Sequence, residues 1–465
     1  MSKHARFPDW SSLAERNRGD AAQECRERLA QVGQSLHAVA GFCALAASGD
    51  GVLGGMPYVA KDMIATGDDD PSWGCRQPPA QDASIAPVIS RLARAGAALI
   101  GRAEMTELAY EPSGLNASRG AVLNPWNFDY VPGGSSSGSA ALVAAGCCYA
   151  ALGSDTGGSV RIPAHCCGVT GLKPSWGRVP TSGTMPLAPS LDTIGLLARS
   201  APDLALVWDG LLEEATPSAD AVPIKMLSDA FMESDGEVAQ ICRSAIGVLR
   251  RLGMHVDECA GFPDEADRNC LLVMQAEAAR MHAPRLDDER IDAVLRKRLG
   301  KGCAISDADL ARALGARESL RTQFLAGQFG DAAVVALPVM PIRTPRVAEV
   351  DPAARAFKAR TLYALSRFTR FANYLDLPAL AVPAGFDSRS MPVGLQLIGR
   401  PGSDTLLLAL GIKFQAETDW HSRVPSALAS GAAAGSGADN DAVARDIGFD
   451  EAEIETLRRD HVIEG

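Results

Sequence analysis

The strongest constraint on this chain is a glycine- and serine-rich run that cannot be a linker: GGSSSGSAALVAAGCCYAALGSDTGGSVRIPA, Gly133 to Ala164. Flexible linkers share its composition. Here, however, the serines lead straight into AALVAAG, which is apolar and helix-prone, and then into CCYAALG (147–153), which reads as a buried strand. The segment must therefore be folded into a core. Other short apolar runs bounded by glycine or proline read as strands: GMPYVA (55–60), GAALIG (96–101), AAVVALPV (332–339), PALAVPAGF (378–386) and MPVGLQLIG (391–399). Helical spacing of apolar residues over 11–31 and 86–95 is interleaved with them. The alternation predicts an α/β fold, a mixed central sheet covered by helices on both faces. The stretch 236–327 reads as a charged helical insertion. Because strand signals resume after it, residues 1–426 are expected to form one interleaved domain. Residues 427–441, LASGAAAGSGADNDA, read as a Gly/Ala/Ser linker, and 449–459 as a short tail helix. The segment 427–465 is expected outside this domain. It is either a loosely docked end or a docking element for a second copy or a partner subunit.

Composition narrows the function classes. The net charge of -11 argues against a nucleic-acid backbone or an anionic membrane as the main partner. The N-terminus is polar, and no run of about 18 apolar residues occurs, so a soluble cytoplasmic protein is expected. The 11 cysteines include two adjacent pairs, Cys147-Cys148 and Cys166-Cys167, but no CxxC spacing. They read as small buried thiols, with neither a metal site nor a cofactor expected.

Which group in the Gly/Ser run is reactive? A phosphate-binding loop needs a lysine after the glycines, and position 139 is Ser. The G-x-S-x-G nucleophile elbow matches at Gly134–Gly138 with Ser136 central. What precedes it is NPWNFDYVPGG, which is no buried strand, and none of the seven histidines forms an obvious acid–histidine pair. A lysine is the remaining candidate base. Bringing its pKa from about 10.4 to about 7 takes roughly 4–5 kcal/mol of burial and neighbour effects. Among eight lysines, Lys61 in GGMPYVAKDMIATGD ends a strand-like run, whereas a solvated surface lysine is the competing reading. No S-x-x-K occurs, so a helical Ser–Lys pair is excluded.

Five stretches taken together resemble the amidase signature hydrolases: PYVAKD, RLARAGAALIGRAEMTEL, NPWNFDYVPGGSSSGSAALVAAG, LGSDTGGSVRIPAHCCGVTGLKPSWGRVP and LPALAVPAGFDSRSMPVGLQLIGRP. They fall in the family's order and cover about residues 15–425. The resemblance implies a Ser–cis-Ser–Lys triad: Ser159 as nucleophile, Ser135 as bridging serine after a cis bond to Gly134, and Lys61 as neutral base. It also implies an oxyanion hole from the backbone of Thr156, Gly157, Gly158 and Ser159. Ser136 is then a supporting hydrogen-bonding residue, and Asp155 and Arg161 an ion pair or network that orders the loop. Ser137 stands where many members carry glycine. The activity implied is hydrolysis of a C–N amide bond through an acyl-enzyme, on a small soluble amide, a ureide or a dicarboxylic monoamide. The alternative is the glutaminase (A-type) subunit of a tRNA-dependent amidotransferase, which works with partner subunits. Tyr110, Met185 and Leu187 are candidate pocket walls, with core packing the competing reading for each.

Overall fold

The computed structural model describes residues 8–47, 51–67, 69–77 and 84–429, and in it the apolar runs become one eleven-stranded sheet. The strands are β1 (Val39–Leu45), β2 (Pro57–Lys61), β3 (Ala98–Ala103), β4 (Ala150–Asp155), β5 (Thr170–Lys173), β6 (Thr193–Ala198), β7 (Pro223–Leu227), β8 (His255–Cys259), β9 (Val334–Pro338), β10 (Ala379–Phe386) and β11 (Pro392–Gly399). Their order in space is β1-β3-β2-β4-β6-β5-β10-β11-β9-β7-β8. β2 runs parallel between β3 and β4, and β9, β7 and β8 are parallel near the other edge. The strands between these groups pair antiparallel, so the sheet is mixed.

Every residue of β2, β4, β6, β9 and β11 is buried. That is why these strands read as continuous apolar runs rather than alternating ones. Successive side chains on a strand point to opposite faces. Gly171 of β5 faces Ala164 of the helix Arg161–Cys167, and Gly171 pairs with Ala381 of β10. Leu380 and Val382, on either side of Ala381, face Gly411 of the helix Asp404–Ala416. Those two helices therefore cover opposite faces of the sheet.

The stretch 236–327 differs from a purely helical insertion. It carries the helices Gly236–Arg251, Asp264–Met281, Ala293–Gly302, Asp307–Gly315 and Arg317–Phe324, but also β8. Gly236–Arg251 packs on β10 and β11. β8 escapes pattern reading because HVDEC is a mostly exposed edge strand with little apolar content. Residues 426–429 form a short helix, and the rest of the expected linker and tail, 430–465, lies outside the described residues. No helix among the described residues is long and apolar enough to cross a membrane.

Candidate active site

β2 and β4 are parallel and end side by side at Lys61 and Asp155, so the loops that follow them converge at one edge of the sheet. Open α/β sheets bind ligands at such strand ends. Lys61 is fully buried, and its Nζ donates to Ser135 Oγ at 2.6 Å and to Ser154 Oγ at 2.8 Å. Burial pushes the amine down to about 7, against the opposing charges of Asp155 and Asp192. Both bonded neighbours are hydroxyls, which can donate to a neutral amine as well as accept from a charged one.

Ser135 follows a cis peptide bond from Gly134, as the resemblance implies. Ser136 clamps this loop to β4: its Oγ donates to the Ser154 carbonyl and accepts from the Ser154 N–H, both at 3.2 Å. The Ser136 N–H donates to the Ser159 carbonyl at 3.2 Å, which joins the two serine loops. Ser139 Oγ donates to the Leu152 carbonyl. Ser159 itself is partly exposed and lines a pocket, unlike the buried Ser135, Ser136, Ser137 and Ser139. His165, near in sequence, accepts from the Gly394 N–H through Nδ1, and burial pushes it down to about 3. It is a packed, neutral side chain.

The loop holding Ser159 is fixed from beneath and from the side. Beneath it, Val160 seats on glycines of β4 and β6; a Cβ on Gly195 would stand 2.7 Å from Val160 Cγ2. To the side, Gly158 has φ +127°, and a Cβ there would collide with the Thr369 side chain. Thr369 Oγ1 donates to the Gly157 carbonyl at 2.6 Å. Only glycine meets both demands at position 158.

Asp155 and Arg161 form the network that orders this loop. Arg161 reaches both Asp155 oxygens at 2.8 and 3.0 Å, Asn373 Oδ1 at 2.6 Å, Gln396 Oε1 at 2.6 Å and the Thr369 carbonyl at 2.9 Å. Burial works to raise the Asp155 carboxyl, but the charge and hydrogen bonds of Arg161, with Lys173 and Asn373, hold it well below the usual range. Asp155 also accepts the N–H groups of Gly158 and Val160. This corrects one member of the expected oxyanion hole. The Gly158 N–H is committed to Asp155 at 2.8 Å, whereas no acceptor among the described residues faces the N–H groups of Gly157 and Ser159.

The pocket beside Ser159 has a volume of about 50 Å³. Tyr110 and Leu187 line it with Thr156, Gly157, Ile162 and Met274. Met185 does not; it is buried in the core, its N–H donating to the Met63 carbonyl. Pattern reading missed three charged wall residues: Glu111, Arg298 and Arg370. Arg370 is taken up by a bidentate pair with Asp267 at 2.8 and 2.9 Å. Arg298 lies over the Tyr110 ring, 5.3 Å from its centroid, and forms no ion pair among the described residues, although its charge acts on the Glu111 carboxyl, opposing the rise that burial causes there. Glu111 accepts from Ser113 through Oε2, while its buried Oε1 has no partner. Among the described residues, no group of three or more His, Cys, Asp or Glu could hold a metal ion. Cys147, Cys148, Cys166 and Cys167 are buried free thiols.

Comparison with known proteins agrees with this arrangement. The family model described as Amidase matches residues 34–408. The A-type chain of the glutamyl-tRNA(Gln) amidotransferase of Marinomonas sp. is 33% identical over 454 residues, covering 86% of this chain and 90% of that protein. Its counterpart in Halorhodospira halophila is 35% identical, covering 81% and 86%. Among solved structures, an amidase crystal structure superimposes with a TM-score of 0.80 at 30% identity, covering 88% of this chain and 99% of that one. A chain from an inhibitor-bound vestigial protein complex that bears on the evolutionary origins of an s-triazine catabolic enzyme gives a TM-score of 0.78 at 25% identity, covering 90% and 100%. The chain belongs to the amidase family, whose enzymes act on C–N bonds.

Proposed function

We propose that this chain hydrolyses a small, carboxylate-bearing amide through an acyl-enzyme on Ser159. The observation that carries this reading is Lys61: a fully buried amine near 7, bonded to Ser135 and facing no carboxylate directly. At neutral pH a large fraction of such an amine is unprotonated and able to accept a proton. Lys61 takes the Ser135 proton as Ser135 takes that of Ser159, and Ser159 Oγ attacks the amide carbon. The Gly157 and Ser159 N–H groups receive the developing oxyanion, a contribution of about 3–4 kcal/mol for each donor. The relayed proton returns to the departing nitrogen as the C–N bond breaks. Water then enters, gives its proton to the same relay and releases the acid.

Arg298 supports the substrate class. A guanidinium stacked on Tyr110 and engaged in no ion pair, though within the field of Glu111, in the wall of the pocket that holds Ser159, suits a carboxylate carried by the substrate. A dicarboxylic monoamide has that charge. A fluorophosphonate probe followed by peptide mass mapping tests the nucleophile: the adduct is expected on Ser159. An adduct on Ser136, or none on folded protein, contradicts it.

A second reading is favoured by the relatives. Those 33% and 35% identical are the A-type chains of amidotransferases. On that reading the carboxylate-bearing amide is glutamine, and the ammonia passes to a partner protein. Ammonia release from glutamine by the purified chain, alone and with candidate partner proteins, separates the two. Full activity alone supports the independent amidase, and activity only in a complex supports the amidotransferase reading.

A further inference from the structure

The pocket at Ser159 is too small for a whole substrate. Its volume of about 50 Å³ is well below the range of small-molecule sites. A second cavity of about 450 Å³ shares Glu111, Arg298 and Leu362 with it as common wall. That volume lies in the range of small-molecule sites. The floor of this chamber is apolar, with Leu115, Leu295, Val350 and Leu362, and Val294 stands half exposed at its rim. Four carboxyl groups border it, Glu107, Glu111, Asp292 and Asp351, against the single cation Arg298. All four are already engaged in part: Asp292 accepts the Leu295 N–H, Glu107 the Asp292 N–H, Asp351 the Ala353 N–H, and Glu111 the N–H and hydroxyl of Ser113. Glu107 Oε1 and Glu111 Oε1 are both buried without a hydrogen-bond partner, and Glu111 sits where the two cavities meet.

We propose that the chamber seats the distal part of the substrate: an acyl substituent with an apolar shaft of several carbons and a neutral or cationic end. The reacting amide then occupies the small pocket, and Leu362, Glu111 and Arg298 form the neck through which the acyl group passes. This rests on the acylation of Ser159 proposed above and adds the length and charge preference of the acyl group. Each methylene buried in the chamber is worth about fourfold in affinity. An anionic end is disfavoured by the surrounding carboxyl groups.

The test uses the full chain with Ser159→Ala, titrated calorimetrically with N-acetyl-, N-hexanoyl-, N-(ω-aminohexanoyl)- and N-adipoyl-L-glutamine. The N-hexanoyl compound is expected to bind at least about tenfold tighter than N-acetyl. The aminohexanoyl compound is expected to bind more tightly than the adipoyl one. Equal or weaker binding of the hexanoyl compound, or preference for the adipoyl end, overturns the proposal. Val294→Trp, added at the exposed rim, is expected to lower the hexanoyl-to-acetyl affinity ratio at least about fivefold; an unchanged ratio overturns the assignment of this chamber. Ammonia release by the protein with Ser159 intact is read separately. Its failure with all four compounds contradicts the acyl-enzyme reading, while the binding series still decides the chamber.

Discussion

Among the described residues two lysines are fully buried, Lys61 at the end of β2 and Lys173 at the end of β5, and they differ in what surrounds them. Lys61 Nζ touches two serine hydroxyls. Lys173 Nζ donates to the Pro174 carbonyl at 2.6 Å and lies in the field of Arg161, Asp155, Asp404 and Asp376. Burial lowers both amines, Lys61 to about 7 and Lys173 to about 8. Burial alone therefore does not make a base. A lysine becomes one when its bonded neighbours can hand it a proton, as serine hydroxyls can and a carbonyl cannot. Lys173 helps hold Asp155 ionised, and Asp155 orders the loop of Ser159.

This contrast can be broken by substitution. The largest effect is expected at Lys61. Lys61→Met is expected to lower kcat by about 10³–10⁴-fold with the fold retained, because the proton relay loses its acceptor. Lys173→Met is expected to change kcat less than about tenfold. Equal losses in the two variants, measured by ammonia release, erase the distinction.

Stability should run the other way. Lys173→Met removes a cation from among buried carboxylates, a change that costs about 3–5 kcal/mol when a buried charge is left uncompensated. Denaturant unfolding checks this, and an unaltered midpoint contradicts it.

How far did the sequence anticipate this arrangement? The strands of the sheet centre were legible because they are buried on both faces and so continuously apolar. The serine and lysine positions were legible through a motif with fixed spacing. The pocket wall was not. Arg298 comes from a helix well over 100 positions after Ser159, and its neighbour Tyr110 from a loop before it, so no local pattern joins them. Ser154 lies two residues outside the Thr156–Ser159 loop and shows itself only through its bond to Lys61. Gly158 belonged to a loop of adjacent residues, and only the hydrogen bond to Asp155 reveals which of their N–H groups is taken.

Arg298 extends the comparison to a third cation, one that lies over a ring and near Glu111 without forming an ion pair. Arg298→Ala is expected to raise KM for carboxylate-bearing amides about 10–100-fold, the range of a charge-assisted hydrogen bond, with a smaller change for neutral amides. Equal changes for charged and neutral amides contradict its role.

The smallest effect concerns the cost of keeping Lys61 buried. Its folded pKa lies below the unfolded value, so between about pH 7 and 10.5 the unfolded chain binds more protons and stability rises with pH. Lys61→Met lacks this dependence. It is expected to be about 1–3 kcal/mol more stable than the parent at pH 7, with the advantage shrinking toward pH 10. A parent as stable as the variant at pH 7 contradicts the lowered pKa.

The central claim is that neutral Lys61 draws the proton from Ser159 through Ser135. The most direct measurement is the rate at which a fluorophosphonate modifies Ser159 as pH is varied, in the parent and in Lys173→Met. The account predicts a rate that rises and levels off with an apparent pKa near 7 in both proteins, and that becomes slow and nearly pH-independent in Lys61→Met. A rate that falls as pH rises through 7, or a profile unchanged by Lys61→Met, would contradict it.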